Sequence, residues 1–349
     1  MKLTKHIVLL TPGFARDESD TTCLTFLQDY ALILKKKYPQ YRLNIISIQY
    51  PFDRSTYSWN GIDIYSAKGK QSRYFFRGIT WLKVLKKLFQ LNRTQKIDVI
   101  HCFWLTEALL LGKIYNLFKK VQLIGYALGQ DSISKNKYLK LPITKNIEVV
   151  ALTNGVQTNL VQLHVPCSTI IPFGINAAKL VQPSVIREVD IIGVGSLIPL
   201  KNYGLFVEII NEVKKQIPSI KAVLIGEGMQ LQALQTKASK LNLENNLFFA
   251  GPLPHQEIFK QLGKSKFLVH TSSFEGQGMV ITEALAMGTN VMCFDSLRIN
   301  PHSKIQQCKS KQEMIQKLID QLTNNSLDYT PFIRTMDETV DEFAKLYEA

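Results

Sequence analysis

The chain of 349 residues is long enough for two domains of ordinary size, and its composition, 46% apolar and 20% charged, is that of a globular protein. Its five cysteines are scattered and have no CxxC spacing, which predicts reduced thiols in the cytoplasm and argues against a zinc site. All of the net charge of +14 lies in residues 1–170, where 24 Lys and Arg stand against 10 Asp and Glu. Such a basic half is expected to face nucleic acid, an anionic membrane or an acidic substrate.

The first elements predict an α/β domain. A strand at 5–10 is too short for a signal peptide, and no apolar run in the sequence approaches the roughly 18 residues that span a bilayer. A loop containing Gly13, a helix ending at 37, a strand at 43–50 and a polar loop at 51–72 follow. A glycine loop after the first strand is a common ligand site in such sheets, so Gly13 is a candidate, with an ordinary turn as the alternative. The absence of GxGxxG disfavours a dinucleotide dehydrogenase.

Residues 73–93 predict a basic amphipathic helix. Two interpretations of it are open and compatible. The apolar stripe can pack on the sheet of the domain, or the helix can lie in a membrane interface with Trp81 and its phenylalanines at headgroup level. In either case a basic edge that includes Lys86 and Lys87 could face anionic lipid. The stripe and its extension consist of Phe75, Ile79, Leu82, Leu85, Phe89, Phe76, Trp81, Val84, Leu88 and Leu91, and the other cationic residues are Arg73, Arg77, Lys83 and Arg93.

The remainder of the first half predicts strands at 97–103 and 121–127, the second ending in another glycine loop, and a helix from about Asn154. His101 is expected at the carboxyl end of its strand, where a structural role and a ligand contact are both open. Breaks in periodicity place a linker at about 172–187.

The second half predicts a strand at 189–194 followed by a turn with Gly195 and Ser196, and Lys201 just before a helix from Asn202. An ammonium there could reach a diphosphate as a point charge, although a solvated loop lysine is the plain alternative. The segment KAVLIGEG predicts a further strand and a turn with Gly226 and Glu227.

The stretch TSSFEGQGMVITEALAMG, residues 271–288, predicts a loop between a buried strand and a helix. Gly276 and Gly278 permit positive φ, and the helix start at Met279 presents amides and the positive end of its dipole, which together indicate an anion site. Glu275 and Glu283 flank it. Each could be a helix cap or a solvated acid, but as a pair they are assigned to ligand hydroxyls.

This stretch, with SSFEG before the helix and EALAMG at its end, resembles the signature of glycosyltransferase family 4, whose retaining, nucleotide-sugar-dependent enzymes have the GT-B fold. The resemblance implies two doubly wound, Rossmann-like domains facing across a cleft: an acceptor domain at 1–172, joined by a returning C-terminal segment at 331–349, and a donor domain at 173–330. Glu275 and Lys201 would be the catalytic residues. The resemblance adds a donor-binding set of Glu283, Gly195, Ser196, Gly226, Glu227, Gly276, Gln277, Gly278, Met279 and Gly13, and an acceptor-side pair of His101 and Asp131.

Two positions depart from the family pattern. Leu128 stands where a histidine is usual, and Ser196 stands where an arginine is usual, while Lys201 is kept. The implied chemistry is same-face attack, in which Glu275 orients the sugar, Glu283 holds the ribose, and the departing diphosphate takes the proton of the acceptor. No DxD triplet or His/Asp cluster is present in the sequence, so neither a metal nor another cofactor is expected.

Three other functions are open. A pyridoxal-phosphate phosphorylase of similar fold would need an anchoring lysine, and the chain is short for the known enzymes of that kind. An inactive homologue that binds only a nucleotide sugar or a partner is favoured by Leu128 and Ser196. Nucleic-acid binding is supported only by the basic half, because the sequence contains no recognisable RNA or DNA motif. The resemblance instead implies a glycan or lipid-linked acceptor of surface polysaccharide or glycoconjugate synthesis, which the protein would meet in the cytoplasm or at the inner face of the membrane.

Overall fold

The computed structural model of the chain describes residues 5–20, 22–69, 74–184, 186–324 and 327–349, with the backbone alone for residues 74–76. The predicted helix start at Arg73 and the side chains of Phe75 and Phe76 therefore lie outside the described residues. The chain forms two compact units, Met1–Phe173 with Met336–Ala349, and Gly174–Thr335.

The first unit is built on an eight-stranded sheet whose order is β3-β4-β2-β1-β5-β6-β7-β8. All neighbours are parallel except β3 and β4. The strands are β1 (Lys5–Gly13), β2 (Tyr41–Tyr50), β3 (Thr56–Trp59), β4 (Ile62–Ser66), β5 (Val99–Phe103), β6 (Gln122–Ala127), β7 (Glu148–Ala151) and β8 (Thr169–Ile170). The helices are α1 (Thr25–Lys37), α2 (Tyr74–Thr94), α3 (Glu107–Phe118), α4 (Asn154–Gln162) and α10 (Met336–Glu348).

The second unit has a six-stranded sheet with the order β11-β10-β9-β12-β13-β14, in which every neighbouring pair is parallel. The prediction of two doubly wound parallel sheets is therefore confirmed. The strands are β9 (Val189–Val194), β10 (Ala222–Ile225), β11 (Leu247–Gly251), β12 (Ser265–His270), β13 (Asn290–Phe294) and β14 (Ile305–Cys308). The helices are α5 (Tyr203–Gln216), α6 (Leu231–Lys240), α7 (His255–Gly263), α8 (Met279–Ala286) and α9 (Lys311–Asn324).

Both faces of the second sheet are covered, which explains why its strands read as continuous apolar runs. One core contains α5 residues such as Phe206 and Ile210, and the other contains Ile281 and Leu285 of α8. The strand order reverses between β9 and β12. In open sheets of this kind, the crevice at the carboxyl ends of the strands flanking such a reversal is where ligands bind.

The expectation that residues 51–72 form a loop is wrong. Strands β3 and β4 pair as an antiparallel hairpin at the edge of the first sheet. Its two-residue turn is Asn60-Gly61, with φ of 46° and 69°. Two positive φ values in succession match the twist of a tight hairpin, and Asn-Gly is the sequence most suited to them.

Helix α2 docks on the first unit by one face, as predicted. Val84 on that face is fully buried, whereas Ile79 and Leu82 are 52% and 68% exposed. In the membrane-interface interpretation Trp81 would lie at headgroup level, but its indole N–H donates to the carboxylate of Glu107 on α3. The indole is therefore hydrogen-bonded within the protein, and among the described side chains of α2 the exposed large apolar ones are the aliphatic Ile79 and Leu82.

The last helix, α10, belongs to the first unit and packs against α1. It begins at Met336, five residues later than the predicted segment. Tyr347 is fully buried, and its hydroxyl lies 2.7 Å from Nδ1 of His101 and also contacts the hydroxyl of Tyr30. The C-terminal segment therefore completes the core around β5.

Candidate functional site

Two loops at the strand reversal are hydrogen-bonded to one another. The turn at Pro199–Lys201 follows β9, and the segment after β12 lies against it. The amide of Ser273 donates to the carbonyl of Leu200 at 2.9 Å, and the Thr271 hydroxyl donates to the carbonyl of Lys201 at 2.9 Å. These bonds fix the backbone of Lys201 beside the loop that carries Glu275.

A charged cluster results. The Lys201 ammonium donates to Oε1 of Glu275, and Nε2 of His270 lies 2.9 Å from the same oxygen. The exposed fractions of the Lys201, Glu275 and His270 side chains are 21%, 12% and 3%. Both contacts are made by Oε1 of Glu275 and neither involves Oε2, while part of the Lys201 side chain is open to solvent.

The electrostatics of this cluster keep Glu275 ionised. Burial by itself would raise the pKa of the Glu275 carboxyl. The hydrogen bond and charge of His270 and the charge of Lys201 outweigh burial and lower the pKa to about 2. The structure thus brings together the two residues predicted to be catalytic, as a carboxylate and an ammonium in direct contact.

The glycine-containing loop leads from this cluster into α8. Gly278 precedes the helix with φ of 70°, a left-handed conformation that glycine adopts without strain. Gly276 and Met279 are half-buried beside it, and the Gln277 amide donates to the Thr282 hydroxyl at 3.0 Å. A helix therefore starts at Met279 as predicted, and the side chain of Gln277 is hydrogen-bonded to Thr282 in its first turn.

Glu283 lies four residues into α8 and is paired with a residue that the sequence did not suggest. Nε2 of His255, at the start of α7, is 2.8 Å from Oε1 of Glu283. The Glu283 side chain is 13% exposed and that of His255 is 41% exposed. This carboxylate is held in a fixed orientation by a partner that solvent can reach.

The turns after β9 and β10 meet backbone to backbone. Gly195 and Gly226 have φ of 151° and 139°, and a Cβ on Gly226 would lie 1.9 Å from the carbonyl oxygen of Gly195. The amide of Leu197 donates to the carbonyl of Glu227 at 2.8 Å. Only glycine permits the two backbones to approach this closely. The side chains of Ser196 and Glu227, which follow the two glycines, are exposed at the surface.

The structure contradicts the acceptor-side role expected for His101. Its side chain has no exposed surface and lies in the middle of β5, stacked on Phe103 with ring centroids 4.3 Å apart. Burial lowers its pKa to about 3, which keeps the imidazole neutral. His101 is a core residue that contacts α10 through Tyr347.

Asp131 is also withdrawn from solvent, with 1% of its surface exposed, contrary to its expected acceptor-side role. Its carboxylate accepts the amides of Leu105, Leu128 and Gly129 at 2.6, 2.9 and 2.9 Å. Burial raises its pKa to about 6 against the opposing effect of these amides. Asp131 therefore clamps two loops of the first unit.

Gly13 is the last residue of β1, so the glycine loop expected there begins later than predicted. A Cβ on Gly13 would meet its nearest neighbours at 3.4 and 3.6 Å, which is ordinary contact. Nothing at this position requires glycine. It belongs to the first unit, whereas the cluster described above belongs to the second.

Among the described residues, no three or more His, Cys, Asp or Glu side chains are grouped to hold a metal ion. None of the helices in the described part of the chain has both the length and the hydropathy to cross a bilayer.

His255 and His270 are two residues of the site that the sequence analysis did not predict. His270 is the last residue of β12, directly before the TSSFEG loop, and a histidine at the carboxyl end of a strand at the reversal could have been singled out. His255 opens α7, and only the three-dimensional packing of α7 on α8 brings it to Glu283.

Comparison with known proteins gives a consistent picture. Residues 181–331 match the family described as Glycosyl transferases group 1. An alpha-monoglucosyldiacylglycerol synthase of Streptococcus pneumoniae is 20% identical over 262 residues, which is 66% of this chain and 58% of that protein. The chain thus spans little more than half the length of this relative.

Two solved structures share the fold. Sucrose-phosphate synthase from Thermosynechococcus elongatus is 15% identical with a TM-score of 0.71, over 99% of this chain and 95% of that one. HepE of Anabaena, in complex with UDP and glucose, is 16% identical with a TM-score of 0.68, over 99% of this chain and 95% of that one. At these identities the likeness establishes the fold.

The lowered pKa of Glu275 predicts a pH-dependent contribution to stability. Because folding lowers this pKa from 4.5 to about 2, the ionised carboxylate stabilises the fold above pH 4.5, and that stabilisation is lost as the pH falls towards 2. We expect Glu275→Gln to reduce the free energy of unfolding by about 3 kcal/mol at neutral pH. The difference between wild type and variant should become smaller as the pH is lowered. Urea denaturation of the wild type and the variant, repeated from neutral pH towards pH 2, measures this difference in the free energy of unfolding.

The control is Glu188→Gln, which removes a carboxylate from the same unit whose side chain is 61% exposed. It should change the free energy of unfolding by less than about 0.5 kcal/mol. A difference between wild type and Glu275→Gln that is the same at every pH would contradict the ionised cluster.

Proposed function

Through residues 181–331 the chain belongs to the group 1 glycosyltransferases of the GT-B fold, and on that premise we propose that it is a retaining enzyme. It moves a sugar from a nucleotide diphosphate to a glycan or lipid-linked acceptor, in surface polysaccharide or glycoconjugate biosynthesis. This corresponds to glycosyltransferase family 4, the family that the sequence resembles.

The contact between Lys201 and Glu275 at the strand reversal carries this proposal. Sugar transfer from a nucleotide diphosphate develops negative charge on the departing diphosphate and positive charge on the sugar. An ammonium and a carboxylate in contact can oppose both charges from fixed positions. Lysine has three N–H donors, so Lys201 can keep its bond to Glu275 and still donate to a phosphate oxygen.

The start of α8 is placed to assist Lys201. The helix amides and dipole near Gly278 favour an anion, as the ammonium does. Fixed donors of this kind are typically each worth about 3 kcal/mol of transition-state stabilisation. Together they can serve the departing diphosphate, and the proposal includes no metal ion or other cofactor.

The two glutamates have separate roles. Glu275 is ionised and oriented by His270, so it can accept a hydrogen bond from the donor sugar and stabilise positive charge on it. Glu283, oriented by His255, can accept both hydroxyls of a ribose. Attack on the same face as the leaving group allows the diphosphate to take the proton of the acceptor. That route places no demand on Leu128.

The relatives support the choice of substrates. HepE was solved with UDP and glucose, and the Streptococcus relative is described as an alpha-monoglucosyldiacylglycerol synthase. We therefore propose a nucleotide-diphosphate sugar as the donor and a membrane-borne or polysaccharide acceptor. The net charge of +14 in residues 1–170 suits an acceptor that carries negative charge.

A second candidate is an inactive homologue that binds a nucleotide sugar without transferring it. Ser196 favours this function, because it replaces one of the two cations that usually face the diphosphate in the family. Only Lys201 of that pair remains. Such a protein would share the binding site and would lack turnover.

Thermal unfolding with a panel of UDP-, GDP-, ADP-, CMP- and dTDP-sugars tests the donor site. A ligand at a hundred times its dissociation constant stabilises the native state by about 2.7 kcal/mol. We expect one nucleotide to raise the Tm of the wild type, and Glu283→Ala to abolish that rise because the ribose contact is lost. Glu244→Ala, an exposed change in the same unit, should leave the rise intact.

Turnover separates the two candidate functions. With the stabilising donor and a membrane or glycan extract as acceptor, the enzyme should release the nucleoside diphosphate, and Lys201→Ala should lower kcat about 100-fold. Binding without release of the diphosphate would support the inactive homologue. The absence of any binding would contradict both.

The exposed apolar side of α2 supports peripheral contact with an anionic membrane. Ile79 and Leu82 are 52% and 68% exposed, and Lys83 and Lys86 are exposed on the same side of the helix. Aliphatic side chains next to lysines suit insertion between anionic headgroups.

Sedimentation with phosphatidylglycerol vesicles tests the membrane contact. The double variant Ile79→Ser with Leu82→Ser should bind about tenfold more weakly, because each side chain buries apolar area in the bilayer. The matched control is Ile186→Ser with Phe248→Ser, two apolar residues of the second unit that are 69% and 66% exposed. Equal losses in the two variants would contradict a specific role for α2.

A further inference from the structure

A cavity of about 440 Å³ lies in the first unit between α2 and the hairpin strands, and lysines dominate its lining. Lys83, Lys86 and Lys87 come from α2, and Lys68 follows β4. Tyr65 of β4 and Gln90 of α2 also line the cavity. We call this cavity the lysine pocket. Its volume lies within the range of small-molecule sites in proteins.

Local structure makes the lysines converge. Residues three and four apart on a helix share a face, so Lys83, Lys86, Lys87 and Gln90 point to the same side of α2. Strand β4 pairs in parallel with β2, and its carboxyl end carries the chain to Lys68 at the rim. The hairpin that the sequence did not predict therefore forms one wall of the lysine pocket.

Two of the lysines are held in place by neutral groups. The Lys68 ammonium donates to the carbonyl of Asp53 at 3.1 Å. The Lys87 ammonium lies 5.3 Å from the ring centroid of Tyr65, a cation–π contact. Neither contact neutralises the positive charge, so both ammonium groups keep their attraction for an anion.

The remaining two lysines, Lys83 and Lys86, form no ion pair in the described part of the chain, and no carboxylate lines the pocket. Asp63 stands two residues before Tyr65 on β4, on the same face, and it too makes no ion pair with these lysines among the described residues. Four ammonium groups around one cavity repel each other. A bound anion removes that repulsion.

We infer that the lysine pocket binds a phosphate group, carried either by a soluble phosphorylated molecule or by a lipid headgroup. Phosphate presents several strong acceptor oxygens, which point charges on flexible stems can surround. The Gln90 amide and the Tyr65 hydroxyl add neutral hydrogen-bonding groups at the wall. Burial raises the pKa of Tyr65, so its phenol stays protonated and can donate.

The site is independent of the proposed transferase reaction. It lies in the first unit, whereas Lys201, Glu275 and Glu283 lie in the second. Loss of phosphate binding and loss of nucleotide-sugar binding can therefore be measured separately, in different variants of the same protein.

The test is calorimetric titration of the full chain with inorganic pyrophosphate at low ionic strength. The pocket variant is Lys83→Gln with Lys86→Gln, two exposed helix positions where glutamine preserves helix propensity. Its control is Lys36→Gln with Lys240→Gln, which makes the same change of charge at exposed positions outside the pocket. Thermal unfolding checks that both variants remain folded.

We expect the pocket variant to bind pyrophosphate at least about tenfold more weakly and the control variant to stay within about twofold of wild type. No binding by the wild type, or equal losses in the two variants, would overturn the inference. The second of these results would show that only the overall positive charge attracts the anion.

A competition experiment identifies the source of the phosphate. Vesicles of phosphatidylcholine with phosphatidylglycerol are added to wild type that is saturated with pyrophosphate. If pyrophosphate displaces the vesicles and the pocket variant loses both ligands, the pocket takes a lipid headgroup. If vesicle binding is unchanged while pyrophosphate binding is lost in the variant, the pocket takes a soluble phosphate. Both results support a phosphate site, and loss of vesicle binding alone contradicts it.

Discussion

The hydrogen bonds that join the Pro199–Lys201 turn to the segment after β12 are the constraint on which the proposed donor site depends. They exist because β9 and β12 are neighbours at the strand reversal, which brings two loops distant in sequence to one edge of the sheet. Because these bonds fix the backbone of both loops, the side chains of Lys201 and Glu275 lie within reach of each other. The rest of the site is arranged around this contact.

The cost of burying charge explains the composition of the cluster. A buried carboxylate alone would be protonated, and a buried ammonium alone would be driven towards its neutral form. The cluster avoids both changes of protonation, because Glu275 lies at hydrogen-bond distance from Lys201 and from His270. The Lys201 side chain is 21% exposed, and in the function we propose its ammonium receives a diphosphate, so that the same contact would serve both stability and binding.

The sequence predicted correctly those features that depend on the local pattern of apolar residues and glycines. The bounds of β9 at residues 189–194 were confirmed, because a buried strand ending in glycine leaves a clear signal. The hairpin turn at Asn60-Gly61 was missed although its residues carry the standard signal, since flanking polar residues obscured the alternation. The burial of His101 could not be predicted, because it depends on α10, which lies more than 200 residues away in the chain. His255 and Glu283 likewise meet only through tertiary packing.

Hydrogen–deuterium exchange with UDP tests the proposed donor site, because it reports which segments of the protein a bound nucleotide protects. We expect slower exchange in two segments of the second unit, 195–201 and 271–283, and loss of this protection in Lys201→Ala. If thermal unfolding shows that a sugar of another nucleotide stabilises the protein, the corresponding nucleoside diphosphate replaces UDP in this experiment. Protection confined to other segments, or protection that survives in Lys201→Ala and Glu283→Ala alike, would contradict the assignment of this cluster as the donor site.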